Sequence, residues 1–176
     1  MYIFHLITNA ISGGDCSMNL TQKETMLLQD HKKSEELCIK KYNSYANQVQ
    51  DQALKQMFLS YAQQEQQHLN TINQILNGQM PNTNQQGQQQ QQSTSSTSTQ
   101  SGSQTNIQGT FSSNDADLCQ DLLSTEKYIS ATYNSAIFEF RDHNIRQALN
   151  HIQKEEQQHG EDIFLYMQNH GMYNVQ

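Results

Sequence analysis

Charge is scarce in this chain and its balance is acidic: Asp, Glu, Lys and Arg make up 15% of the 176 residues and sum to a formal −7. No basic run or patch is present, which argues against nucleic acid as the main partner. Long apolar stretches are missing too. Hydrophobic residues are 34% of the chain, and nothing approaches the roughly 18 to 20 apolar residues that cross a bilayer, so no membrane span is expected. Tryptophan is absent, and Cys16, Cys38 and Cys119 form no Cys-x-x-Cys pair. An odd number of cysteines without a framework points to a reducing setting rather than a disulfide scaffold. The opening "MYIFHLITNAIS" lacks a basic segment before its apolar part and a small-residue cleavage site after it. Synthesis in the cytoplasm without a signal peptide is therefore expected.

Charge is missing altogether from residues 78–113, which include "QQGQQQQQSTSSTSTQSGSQ". So little apolar surface leaves nothing to bury, and the segment reads as a disordered linker. Residues 1–17 read as a flexible tail, with Met18 as an alternative start. Thr21 and Glu24 then have the spacing of a capping box. The domain plan is thus a tail (1–17), a first helical hairpin (18–77), the linker (78–113) and a second hairpin (114–176), with the hairpins packing as one bundle.

The two hairpins are copies. Displacing the chain without gaps by the interval from Glu35 to Glu126 superposes Asp30 on Asp121, Tyr42-Asn43-Ser44 on Tyr133-Asn134-Ser135, and Asp51 on Asp142. It also superposes Glu65-Gln66-Gln67-His68 on Glu156-Gln157-Gln158-His159 and Ile72 on Ile163. Glutamine matches mean little in this composition, but the Glu, Tyr, Asp and His matches indicate an internal duplication. Each copy carries apolar residues at helical spacing. Leu28, Cys38, Tyr42, Leu54, Phe58, Tyr61, Ile72 and Ile75 mark the first, and Leu122, Ile129, Tyr133, Phe140, Ile145, Leu149, Ile152 and Ile163 the second. Asp51 and Asp142 suit N-caps after tight turns, while Asn77-Gly78 and His170-Gly171 suit helix stops. The expectation is an all-α four-helix bundle built from two duplicated hairpins.

Six ionisable residues interrupt those apolar stripes. Glu35 follows the phase of Leu28, Cys38 and Tyr42, and Glu126 that of Leu122, Ile129 and Tyr133. Glu65 and His68 lie between Tyr61 and Ile72, as Glu156 and His159 lie between Ile152 and Ile163. An unpaired charge in a core is costly, so these positions need partners. Glu35 and Glu65 lie about 15 residues from their turn, roughly 22 Å at the α-helical rise, with His68 one turn beyond. The second copy repeats those heights, so packing the hairpins brings all six to one layer. Glu and His three apart share a helix face. Four carboxylates and two neutral imidazoles offset two divalent cations, and mixed oxygen and nitrogen donors suit iron or manganese. The same residues could instead be protonated or paired relics.

The remaining candidates read more simply. Tyr42 and Tyr133 fit the core, with a role behind Glu35 and Glu126 as the alternative. Tyr61, one turn from Glu65, is placed to hydrogen-bond it. Cys38 and Cys119 suit buried small hydrophobes. His31 is one turn from Glu35 but matches Leu122 in the other copy, and His5, His143, His151 and His170 have no partner by spacing.

The paired Glu and Glu-x-x-His pattern resembles the ferritin-like superfamily, particularly the rubrerythrin type. That resemblance implies a dinuclear centre held by Glu35, Glu65, His68, Glu126, Glu156 and His159, with Glu65 and Glu156 between the metals. The cysteine-rich domain that supplies electrons in classical rubrerythrins has no counterpart here. "LTQKETMLLQDHKKSEELCIKKYNSYANQVQDQALKQMF" and "STEKYISATYNSAIFEFRDHNIRQALNHIQKEEQQHGEDIFLYMQNHGMYN" resemble spore coat proteins of the Coat F type. The likeness covers about 19–77 and 114–174. In that family Trp or Tyr usually follows the glycine of the last motif, where Met172 precedes Tyr173 here. It implies a sporulation protein in the spore coat, with other coat proteins or further copies of itself as partners. Three functions follow: a coat component, a dimetal redox enzyme (oxidase, peroxidase or manganese-catalase-like), or a metal store or ferroxidase.

Overall fold

The computed structural model describes residues 19–81 and 113–173. The expected tail and nearly all of the expected linker, with His5 and Cys16, lie outside that range. Four helices make up the described chain: α1 (Gln22–Ala46), α2 (Gln52–Leu76), α3 (Ser113–Ile137) and α4 (His143–Asn169). Thr21 and Glu24 form a reciprocal capping box on α1. Asp51 and Asp142 cap α2 and α4 by accepting from the Leu54 amide and from the Asn144 and Ile145 amides. Gly78 and Gly171 end α2 and α4 with φ of 74° and 71°, a left-handed geometry that costs glycine nothing. The bonds around them are those of a Schellman turn: Gly78 N to Ile75 O with Gln79 N to Gln74 O, and Gly171 N to Gln168 O with Met172 N to Met167 O.

Helix α1 packs antiparallel to α2, and α3 to α4. Across the hairpins α1 lies beside α3, and α2 beside α4. Both cross-pairs run antiparallel. Tyr42 meets Glu126 while Tyr133 meets Glu35, and Tyr61 meets Asp162 while His68 meets Glu155. Glu24, at the start of α1, accepts from the Arg141 amide in the α3–α4 turn. Asp115, at the start of α3, accepts from the Gln50 amide in the α1–α2 turn. It follows that α2 ends and α3 begins at opposite ends of the bundle, about 37 Å apart at the α-helical rise. The connection between the hairpins is a crossover, not a short turn.

The core is one continuous cluster drawn from all four helices. It includes Leu28, Cys38, Leu54, Phe58, Ile72, Cys119, Leu122, Leu149, Ile152 and Ile163. No helix among the described residues is long and apolar enough to cross a membrane.

Candidate metal centre

The core stripes carry Glu35, Glu65, His68, Glu126, Glu156 and His159 to the bundle axis, each at most 1% exposed. They form two clusters of four: Glu35, Glu65, His68 and Glu156, and then Glu65, Glu126, Glu156 and His159. Within each, one ligand atom from every residue lies within 4.8 Å of the others. Glu65 and Glu156 belong to both clusters. Each cluster takes three residues from one hairpin and one from the other, so neither hairpin contains a complete set.

Both imidazoles turn Nδ1 inward. His68 Nδ1 is 3.0 Å from Glu156 Oε1 and 3.4 Å from Glu65 Oε2. His159 Nδ1 is 3.0 Å from Glu65 Oε1 and 3.8 Å from Glu126 Oε2. Their Nε2 atoms face outward to different partners. His68 Nε2 is 2.8 Å from Glu155 Oε2, and His159 Nε2 is 3.1 Å from Gln64 Oε1. Glu155 and Gln64 occupy equivalent positions in the two copies, each directly before a glutamate shared by both clusters. Glu155 Oε2 and Gln64 Oε1 are acceptors, so each imidazole can donate from Nε2 while its Nδ1 faces the cluster.

The outer oxygens of two carboxylates are tied across the hairpins. Tyr42 donates to Glu126 Oε1 and Tyr133 donates to Glu35 Oε1, both inside the core. The atoms that face the axis form no hydrogen bond: Glu35 Oε2, both oxygens of Glu65 and of Glu156, Glu126 Oε2, and Nδ1 of His68 and His159. Buried polar atoms are almost always satisfied in a folded protein. Eight buried atoms that meet only one another, all oxygen or imidazole nitrogen, have the donor chemistry of a divalent-cation site. The donor set therefore fits divalent metal.

Electrostatics point the same way. Burial pushes Glu65 and Glu126 well above the usual carboxylate range and Glu156 up to about 7, with neighbouring carboxylates adding to it. Burial lowers His159 to about 4. Burial also works against a proton on His68, but the carboxylates of Glu155, Glu156, Glu35 and Glu65 outweigh it and raise its pKa well above the ordinary value. A cavity that crowds carboxylates this closely must hold protons or cations. Divalent ions would displace those protons.

Residues outside the six differ in part from their expected roles. Tyr42 and Tyr133 are core residues and also bond the ligand carboxylates, but each bonds the glutamate of the other hairpin. Tyr61 does not bond Glu65. Its hydroxyl donates to Asp162 Oδ2 at 2.6 Å, because it sits where α2 meets α4 and Glu65 turns to the axis. Its ring lies against His159, with centroids 4.2 Å apart. His31 belongs to neither cluster and stacks on the Tyr133 ring at 4.0 Å. His151 and His170, expected to have no partner, each have one four residues earlier or later: Glu155 Oε2 lies 3.4 Å from His151 Nε2 and Tyr166 O 2.7 Å from His170 Nδ1. Cys38 and Cys119 are buried free thiols, as expected. Glu155 and Gln64 were missed, although an acidic residue just before the second Glu-x-x-His was a visible signal.

Residues 114–176 match the Coat F domain. A Bacillus subtilis (strain 168) protein described as uncharacterized protein YusN is 33% identical over 76 residues, which are 43% of this chain and 69% of that protein. No solved structure matches. With the Coat F domain matched along its second hairpin and this relative covered over most of its length, the chain belongs to the Coat F family.

Proposed function

We propose that this is a spore coat protein whose ferritin-like bundle holds a dinuclear iron or manganese centre. The spore coat rests on Coat F membership, with other coat proteins as its expected partners. A ferritin-like fold is supported by the single crossover between antiparallel hairpins and by Glu and Glu-x-x-His facing one another in mid-bundle. The observation that carries the metal centre is the set of buried, unpartnered atoms shared between two four-residue clusters.

Glu35 and His68 would hold one ion, Glu126 and His159 the other, and Glu65 and Glu156 both. Tyr133 and Tyr42 fix the rotamers of Glu35 and Glu126 by donating to the oxygen that faces away from the axis. Glu155 and Gln64 orient the imidazoles. Burial excludes bulk water, so the carboxylates change protonation only with a change of charge inside the cavity. When bound, two such ions supply redox chemistry on a small oxidant. A dimetal redox enzyme is thus the second reading, favoured by a groove between α3 and α4 whose lining includes Glu126 and Glu156.

The test is metal content by elemental mass spectrometry on untagged full-length protein made with iron and manganese supplied, beside Glu65→Ala and His159→Ala. About two ions per chain are expected in wild type, with loss in both variants. A folded wild type that retains no metal, with variants of equal stability, would leave the six residues as a relic inside a structural coat protein.

A further inference from the structure

The two hairpins differ in how they cover the centre. A groove of about 630 Å³ runs between α3 and α4, and its lining includes Glu126 and Glu156. Both carboxylates are at least nine-tenths buried, and Glu126 Oε2 and both Glu156 oxygens lack hydrogen-bond partners. The rest of the wall is mainly uncharged, with Leu123, Ala131 and Phe164 beside Ser130 and Gly160. Gly160 is what leaves the space. A Cβ there would come within 3.5 Å of Glu126 Cβ and 3.8 Å of Leu123 Cδ1, so any longer side chain would grow into the groove or displace its wall. At the equivalent positions of the first hairpin, Leu69 stands for Gly160 and Ile39 for Ser130.

We propose that this groove is a one-sided route for a small uncharged molecule from solvent to the Glu126–Glu156 side of the centre. The proposal rests on the metal-centre reading only for its purpose; the route itself is a property of the protein walls. An uncharged solute is specified because the groove ends on crowded carboxylates. The two charged rim residues, Lys127 and Glu161, are exposed and of opposite sign, so neither attracts an anion inward.

The experiment labels metal-free, full-length protein with dicyclohexylcarbodiimide, a neutral apolar reagent for buried carboxyl groups, and maps the adducts by mass spectrometry. Wild type should be modified at Glu126 or Glu156 at least tenfold faster than at Glu65 of the first hairpin. Gly160→Leu and, separately, Ser130→Ile should remove most of that labelling, and Gly160→Ala should reduce it less. Leu69→Gly in the first hairpin should leave the rate at Glu126 and Glu156 unchanged. Circular dichroism identifies any variant that has lost its fold, and Ser130→Ile carries the test if Gly160→Leu does. Equal labelling on both sides, or labelling indifferent to both folded variants, overturns the route. Metal analysis on the same samples separates the two ideas: one-sided labelling without bound metal keeps the route and removes the dinuclear centre, and metal with even labelling does the reverse.

Discussion

Residues related by the duplication make the same bonds in opposite directions across this bundle. Tyr42 reaches Glu126 and Tyr133 reaches Glu35. Glu24 holds the Arg141 amide and Asp115 the Gln50 amide. His68 faces Glu156 and His159 faces Glu65, each at 3.0 Å. One step further from the axis the two halves diverge. A carboxylate, Glu155, stands behind His68, and an amide, Gln64, behind His159. His31 stacks on Tyr133, whereas Leu122 occupies its equivalent position. The six inward positions thus keep twofold symmetry while their surroundings do not, so two similar clusters of the same residues sit in different settings.

The comparison is broken most severely by removing a shared ligand. Glu65→Ala or Glu156→Ala should release metal from both clusters, whereas Glu35→Ala or Glu126→Ala should release it from one, as elemental analysis of purified variants would show. Removing metal from the wild type by chelation should lower its melting temperature; ligand held at a thousand times its Kd contributes about 4 kcal/mol. Calorimetry should show no such shift in Glu65→Ala.

The asymmetry behind the histidines is sharpened by exchange. Glu155→Gln should weaken the His68 cluster by about tenfold or more, the range seen when an outer partner of a ligand is lost. Gln64→Glu should strengthen the His159 cluster, and titration calorimetry with one metal should resolve the two changes. Next in size is the clamp at the bundle ends. Burial favours a proton on Glu24, but hydrogen bonds from Arg141 and Thr21 prevail and lower its pKa from 4.5 to about 2. A lowered carboxylate stabilises the fold above its unfolded pKa, and that stability is lost as pH falls through the folded value. Glu24→Gln should therefore cost about 1–2 kcal/mol at neutral pH. The gap to wild type in denaturant titrations should close between pH 4.5 and about 2. Asp115→Asn should cost less, since the Gln50 amide donates to it at 3.3 Å or more, against 2.9 Å from the Arg141 amide to Glu24. The smallest effect is a gain: Gly160→Ala meets only ordinary contacts and should add about 0.5–1 kcal/mol through helix propensity.

The helices, their caps and the six inward residues were legible because each depends on spacing within one helix. A glutamate on a core stripe is visible as a break in apolar periodicity, and Glu35 and Glu126 are two such breaks. Spacing gives height along the bundle but not which helix lies opposite. Tyr42 could therefore be placed near the layer of Glu35 but not assigned to Glu126, and Tyr61 could not be assigned to Asp162. The direction of the crossover was hidden for the same reason. Linker length permits a return to either end, and the Glu24–Arg141 and Asp115–Gln50 contacts decide it. The His151–Glu155 approach is an i,i+4 pair that spacing alone could have proposed.

The division of each cluster between hairpins sets an order of events during synthesis. The first hairpin leaves the ribosome with Glu35, Glu65 and His68 already facing its own apolar side, three residues of one cluster and one of the other. That half can hold no completed site until Glu156 has been made and docked. Metal capture would then report that the second half has arrived, and a chain truncated before α4 would carry an acidic seam in place of a core.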